Sequence, residues 1–547
     1  MEKKEFNLID QPWICVMDLN GDEKTVSLKD ALLHAHEFYG LNGELPTQDI
    51  AVLRLLLAHI STIFRRVDTE GNPAPFESTD DAFERWQNLW EHGSFPQNPI
   101  EDYLSKWSDR YWLFHPERPF MQARSAAEGT HCSAAKLIGE VSESASKPRL
   151  FKSRAGDGLT KVPYDEAARW LIYLNGFDDA ALKPHIPKDQ RESTISVAWL
   201  GRLGLVYAQG KSLFETLMLN LTLLKDGKEL WPEPHPDWEL DEPREMELRK
   251  IAQPDEPAAL FTTRSRLILL EREDDNVVGY NILCGDSFDS SNAFVEQMTR
   301  WRYQPAKKDQ AAYFYPMVHS ADRQMWRDIG VFCDEGPNAK RPGVVDWICE
   351  LQNKKILDSH SYIQFVRVGN RYDSSQRSTV TDIVDGQLIF HATLLEQMGS
   401  AWRTRLVEEC QKIEDTAYAY SNMSSNIFIA GGGDSEKKDV PAAWAREQCF
   451  SYLDDPFCKW LYSIDPEKDN IDDKIDEWHN QIRDIVYPRC TKMIADARPQ
   501  ALFGRTIKVR IGSKEKQQRY SAPEAYIWFK IALAKIYPVQ KKEEDEN

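Results

Sequence analysis

The sequence lacks a positive balance, a metal-binding cysteine pattern and a long apolar run. Its formal net charge is −19. Free-standing nucleic-acid binders are normally basic, because Lys and Arg must displace phosphate counterions. The acidic total therefore argues against autonomous DNA or RNA binding, and leaves room only for local basic loops inside a larger assembly. The nine cysteines are scattered, the closest two lie nine residues apart, and no CxxC or CxxH occurs. That excludes a zinc knuckle or thioredoxin-like motif and fits reduced thiols in a cytoplasm. No uninterrupted run of about 18 apolar residues exists, which argues against a membrane span. The N-terminus, MEKKEFNLIDQPW, has no signal-peptide core.

Catalytic patterns are also missing. There is no HExxH and no GxSxG, and no cysteine has a local catalytic signature. The nearest approach to a nucleotide site is Gly204 to Ser212. Five residues separate Gly204 from Gly210, where a P-loop needs four. The phosphate cradle depends on that loop length, so the run reads as a strand and turn before a helix. The expectation is a protein with no catalytic residue, no cofactor and no metal site.

What is present is a large folding chain. It has 547 residues, 41 % of them apolar, with 17 Trp. That supports two or three domains with a substantial core. The fold class is α+β. Residues 1–388 read as a mixed domain. It begins with strands at Phe6–Ile9 and Trp13–Met17 and a helix capped by Ser27. Helices are expected over 48–65, 80–91 and Tyr103–Trp112, strands at 265–270 and 277–283 around a turn at 274–276, and a strand over Tyr362–Gly369. After about 388 the pattern becomes helical. Leu395, Met398, Trp402, Leu406, Cys410, Ile413 and Ala417 mark the first of four amphipathic helices, and Ser521 to Glu524 forms a capping box before the last. Residues 389–540 therefore read as a four-helix bundle, followed by a charged tail at 541–547.

Two polar loops stand out. Residues 147–158 carry four basic side chains around Phe151, so Lys and Arg could meet phosphates while the ring stacks or wedges. Residues 367–378 follow a strand and are rich in turn formers, which suggests a hairpin tip whose Gln, Ser and Arg could touch base edges or phosphates. A solvated loop and an ordinary polar hairpin are the plain alternatives.

Four runs have the form of a known family's signatures. Asn7-Leu8-Ile9-Asp10-Gln11-Pro12-Trp13-Ile14 fits N-L-[IL]-x-x-x-W-[IL]. His115-Pro116-Glu117-Arg118-Pro119-Phe120-Met121-Gln122 fits H-P-x-x-P-F-x-Q. Thr216 to Leu221 fits T-[LV]-x-L-N-[LV], and Gly369 to Gln376 fits G-x-R-x-x-x-x-Q. In this order and spacing they resemble the CasA family, the large subunit of the Cascade surveillance complex of type I-E CRISPR systems.

The resemblance implies a non-catalytic cytoplasmic subunit. Its partners would be other Cascade subunits, the 5′ end of a guide RNA, target double-stranded DNA and a recruited helicase-nuclease. It would recognise a protospacer-adjacent motif and help to separate the strands. It also implies roles for residues. Arg149, Phe151, Lys152, Ser153 and Arg154 would anchor the chain on the guide RNA and the complex. Ser375, Gln376 and Arg377 would form the DNA wedge, with Gln376 at its point. Arg300, Arg302, Lys307 and Lys308 are the basic candidates for minor-groove contact, with no choice among them. Two departures stand out. The stretch Thr194-Ile195-Ser196-Val197 lacks the glycines that some members have there, and no paired-cysteine zinc motif is present. The competing readings are a structural scaffold without DNA readout and a nucleotide-binding enzyme acting through 204–212.

Overall fold

The computed structural model describes residues 4–142, 151–184, 196–242, 251–308, 310–333, 336, 338–358, 360–375, 377–395, 399–511 and 514–538; for 509–511 and 514–515 it describes the backbone alone. Contacts divide the chain into two compact units. The first comprises Met1–Met325, Asp334–Ser359 and Ile363–Leu388; the second comprises Trp326–Cys333, His360–Tyr362 and Ile389–Asn547. All nine cysteines are free thiols.

The first unit is built around the helix Pro46–Phe64. It is apolar and long enough to cross a membrane by composition, yet nearly all of it is buried in protein. Two of its buried polar side chains, Arg54 and His59, are matched individually. Arg54 donates to both oxygens of Glu296 at 2.7 and 2.8 Å, and the Trp199 indole adds a third hydrogen bond at 2.9 Å. Removing one partner of such a buried pair costs about 3–5 kcal/mol, because the other charge is left stranded. His59 is neutral in this core. Its ring bonds the Leu55 carbonyl at 2.7 Å and the Tyr111 hydroxyl at 2.8 Å, and burial pushes its pKa down to about 4.

The expected strand and helix signals appear largely where the pattern places them. Ser27 caps the helix Leu28–Leu33, accepting from the Asp30 amide. Thr79–His92 is helical and capped by Ser78. Arg266–Glu273 and Asn276–Cys284 form an antiparallel hairpin, with Asp274 at φ 53° in its turn. The helix expected over Tyr103–Trp112 is corrected. It runs instead from Gln97 to Lys106, and Trp112–Phe114 is a strand paired with Glu5–Asn7. Tertiary pairing overrides the local pattern here, because the Leu8 amide takes the Tyr111 carbonyl at 2.9 Å and the Asn7 amide side chain takes that of Ser108 at 3.2 Å.

Three of the family-like runs hold the chain to itself. The Trp13 indole donates to the Leu8 carbonyl at 2.9 Å. His115 Nδ1 accepts from the amides of Glu117 and Arg118, closing the proline-rich turn. Gln122 donates to the Leu113 carbonyl at 2.7 Å and accepts from the Leu270 amide at 2.9 Å, tying that turn to a neighbouring strand. Asn220 bonds both the amide and the carbonyl of Ala208, in place of a missing strand partner.

The second unit contains four long helices, Ser400–Ala430, Asp439–Tyr462, Ile471–Ala495 and Ala522–Ile536. Trp402, Leu406, Cys410, Ile413 and Ala417 are buried along the first, as their spacing predicts, as is Leu395 just ahead of it; Met398 lies outside the described residues. Ser521 caps the last helix, accepting from the Glu524 amide and donating to its carboxylate at 2.8 Å. Between the third and fourth helices lies an element that the helical pattern does not anticipate. Arg505–Ile511 and Lys514–Tyr520 form a two-stranded antiparallel ribbon. The tail at 541–547 is outside the described residues.

Candidate nucleic-acid interface

The strand Tyr362–Tyr372 is the centre of a three-stranded sheet, flanked by Val380–His391 and by Leu205–Gln209. Phe365 to Asn370 are buried, so the strand is a rigid base for the turn that follows it.

That turn, 373–379, is organised by one side chain. Asp373 Oδ1 accepts from the amide of Ser375 at 3.1 Å and from its hydroxyl at 2.8 Å. Asp373 Oδ2 accepts from the amides of Ser378 at 2.8 Å and Thr379 at 3.1 Å. The Asp373 amide closes the loop on the Thr379 carbonyl at 2.9 Å. Arg377 has a left-handed backbone, φ 53°, a conformation that non-glycine residues seldom adopt without such support. Ser375 and Arg377 are exposed. Gln376 lies outside the described residues.

The tip is also docked on the body of the first unit. The Arg377 carbonyl accepts from the Ala180 amide at 2.9 Å, and the Tyr372 hydroxyl donates to the Phe177 carbonyl at 2.6 Å. The segment beneath is held by ions. Lys183 meets Asp178 at 2.6 Å and Asp179 at 3.1 Å, while Arg266 reaches the carbonyls of Asp179 and Ser196. Burial raises the Asp179 pKa, but the Lys183 and Lys136 charges outweigh it and hold the carboxyl at about 2. Arg202, which no sequence signal singles out, stands close by. Burial, aided by the Arg266 and Arg377 charges, pushes its guanidinium down to about 10. Val197 is buried and its carbonyl accepts from Arg202 at 3.0 Å; Thr194 and Ile195 are outside the described residues.

The other basic candidates separate by exposure. Arg300 is buried and packs beside Gly204. Arg302 lies on the strand Trp301–Gln304, paired with Tyr313–Pro316, and Lys307 and Lys308 follow in the connection; all three are exposed.

The loop near 151 is arranged differently. Phe151 is 88 % exposed. Ser153 donates to Glu140 at 2.8 Å. Arg154 is turned inward, meeting Glu166 at 2.6 Å and Glu140 at 2.8 Å. Burial lowers the Arg154 pKa, but Glu140 and Glu166 more than reverse this and keep it raised. Its charge thus fastens the loop, while Phe151 and Lys152 face outward. Arg149 is outside the described residues.

The P-loop-like run is a strand and a helix cap. Leu205–Gln209 is extended, and Ser212 caps Leu213–Asn220. The amides that would cradle a phosphate have internal partners: Lys211 donates to Glu215 at 2.8 Å and Gly210 to the Thr216 hydroxyl at 3.0 Å. Gly210 answers to packing, since a Cβ there would lie 2.2 Å from that of Glu215. Among the described residues, no three His, Cys, Asp or Glu side chains converge as a metal site would require.

Comparison with known proteins agrees with this architecture. The family described as CRISPR-associated protein Cse1 matches residues 7–487. The CRISPR-associated protein CasA/Cse1 of Thermus thermophilus is 34 % identical over 233 residues, which are 42 % of this chain and 43 % of that relative, so the alignment spans less than half of its length. The crystal structure of Thermobifida fusca Cse1 superposes with a TM-score of 0.83 at 26 % identity, over 97 % of this chain and 98 % of that one. Cse1 from Acidimicrobium ferrooxidans gives a TM-score of 0.77 at 23 % identity, over 98 % and 99 % of the two chains. A chain of a CRISPR RNA-guided surveillance complex shares the fold at a TM-score of 0.60 and 17 % identity, over 84 % of this chain and 98 % of that one. With a family match that runs from the first strand into the third long helix of the second unit, the chain belongs to the CRISPR-associated Cse1 family.

Proposed function

We propose that this chain is the large, non-catalytic subunit of a cytoplasmic CRISPR RNA-guided surveillance complex. In it, the chain recognises a protospacer-adjacent motif in duplex DNA, starts strand separation and recruits the helicase-nuclease. The carrying observation is the tip at 373–379, an exposed turn fixed by Asp373 at the end of a buried strand. Separating a base-pair step costs on the order of 1–2 kcal/mol, and a side chain inserted at a step can hold it open if it does not itself collapse. Gln376, between Ser375 and Arg377, is the inserted group; Arg377 and Arg202 supply positive charge for the phosphates beside it. Arg302, Lys307 and Lys308 are the exposed candidates for the minor groove, where the degenerate pattern of base edges gives permissive readout. Phe151 and Lys152, with Arg149 and the fastened Ser153 and Arg154, attach the subunit to the guide RNA and its protein neighbours.

The two assignments separate in one experiment on the assembled complex. Ser375→Ala, Gln376→Ala and Arg377→Ala together should cut strand opening, read by 2-aminopurine fluorescence beside the motif, about tenfold, the effect of roughly 1.4 kcal/mol. Assembly should survive. Phe151→Ala with Lys152→Ala should instead release the subunit on gel filtration. Unchanged opening in the first variant rejects the wedge, and full retention of the second rejects the anchor.

A further inference from the structure

One face of the sheet that carries the tip borders a cavity. The antiparallel register sets Val366 opposite Tyr207 and Gln364 opposite Gln209, so these four side chains, with Val368, share a face. Around that face stand the first turns of the helix Pro46–Phe64, the helix Leu213–Asn220 and the strand Phe38–Leu41. Together they bound a cavity of about 510 Å³, all of it within the first unit. Small-molecule sites typically measure about 300–1,000 Å³. Ile50, Leu53, Leu213, Val366 and Val368 give it an aliphatic wall.

The ionisable groups in this cavity are acids and phenols. Asp49, Asp385, Tyr39 and Tyr207 line it, and among the described residues no Lys, Arg or His does. Asp49 Oδ1 accepts from the Gly43 amide at 2.7 Å, while Asp49 Oδ2 has no hydrogen-bond partner among the described residues. Arg169, whose charge reaches Asp49, is itself engaged by Glu44 at 2.7 Å, Asp165 at 3.3 Å and the Trp13 carbonyl at 2.7 Å. Burial pushes the Asp49 pKa up to about 7; the Gly43 amide and Arg169 oppose the rise only in part, and Glu44 adds to it. Burial also raises the Tyr207 pKa, and the Asp49 and Asp385 charges raise it further, so both carboxylates act on one phenol. An anion is repelled by such a lining. A neutral apolar guest would leave the Asp49 carboxylate without a donor in a desolvated site. An organic cation meets both demands: its charged donors bond the carboxylate, the phenol rings attract its charge and its stem covers the aliphatic wall.

We infer that this cavity is a binding site for a small organic cation, a guanidinium or primary ammonium on an apolar stem. Asp49 takes the charged head through its open oxygen. Asp385, which is exposed, adds a second acceptor, and Tyr39 and Tyr207 flank the charge. Both carboxylates lie outside the tip at 373–379, so the cation site stands or falls apart from the wedge.

The test is isothermal titration calorimetry on the full chain with phenethylguanidinium and its neutral isostere phenethylurea. The cation should bind about tenfold more tightly than the urea. Asp49→Asn keeps an acceptor for the Gly43 amide; it should weaken the cation about tenfold and leave the urea unchanged. Asp385→Asn should weaken the cation about threefold, and added salt should remove that difference, because an exposed charge is screened. Asp49, faced by Glu44, Arg169, Tyr207 and Asp385, gains its charge as pH rises through about 7. The guanidinium keeps its own charge throughout. Affinity for it should therefore rise about tenfold from about pH 6 to about pH 8, and the rise should vanish in Asp49→Asn. Equal binding of guanidinium and urea overturns the cation site, and so does an affinity flat across this pH range. An Asp49→Asn variant that binds like the parent also overturns it. Tighter binding of a blocked Gly-Gly-Arg-Gly-Gly peptide overturns the small-molecule reading in favour of a partner's side chain. The urea and pH comparisons use the parent protein, so they decide even where melting curves show that a variant fails to fold.

Discussion

The tip at 373–379 and the loop at 151–154 are both short, polar and exposed, yet they are held by opposite means. The tip is fixed from within, by one carboxylate that accepts from three amides and a hydroxyl of its own turn. The loop is fixed from outside, by Arg154 pulled between two glutamates of the body. The first device is local and nearly indifferent to salt. The second is a partly exposed ion pair, which salt screens and which is worth little in isolation. In the proposed roles, a wedge has to keep its shape under load, whereas an anchor has only to present a ring.

The perturbation with the largest effect should erase this difference by removing the shared core. His59 is neutral in the fold at a pKa of about 4 and would titrate near 6.5 once unfolded. A depressed histidine favours the fold above 6.5, and this contribution fades as pH falls toward 4, by up to about 3 kcal/mol. Chemical denaturation should show that loss between pH 7 and pH 4, and His59→Gln should flatten it. A variant whose pH dependence matches the parent's would rule out His59 as its source. Next in size, Asp373→Ala should spoil the tip alone. Strand opening should fall about tenfold while Phe151-dependent assembly stays intact, and loss of assembly would contradict the separation drawn between the two devices. The smallest effect belongs to Arg154→Ala. Retention in the complex should weaken several-fold at low salt, about 1 kcal/mol, and the difference from the parent should shrink as salt is raised. A salt-independent defect would argue against the ionic fastening.

Much of this was legible in the sequence because the signals are local. The helix 46–64, the hairpin around Asp274 and the caps at Ser27 and Ser521 each follow from a period or a spacing. The failed P-loop is of the same kind, since one extra residue sufficed to dismiss it. The ion pairs that hold the sites were not legible. Arg54 and Glu296 are 242 positions apart, and Arg202 gains its meaning only from Arg266 and Arg377. The end of the helix expected over Tyr103–Trp112 was lost for the same reason, because its last residues are taken by the strand at Glu5–Asn7. The ribbon is a different failure. Ile507, Val509 and Ile511 carry a period-two signal in the sequence, and Gly512-Ser513 is a turn-forming pair of residue types. The stronger helical stripes on either side mask it.

Phe151 has a consequence for the life of the protein before it meets anything. A ring 88 % in water holds roughly 1.5–3 kcal/mol of burial that the free chain never realises. In the role proposed above, a partner that covers the ring would recover that energy, and the free chain forgoes it. The same ring is therefore a gauge of assembly: its burial is the part of the subunit's hydrophobic energy that only a partner could supply.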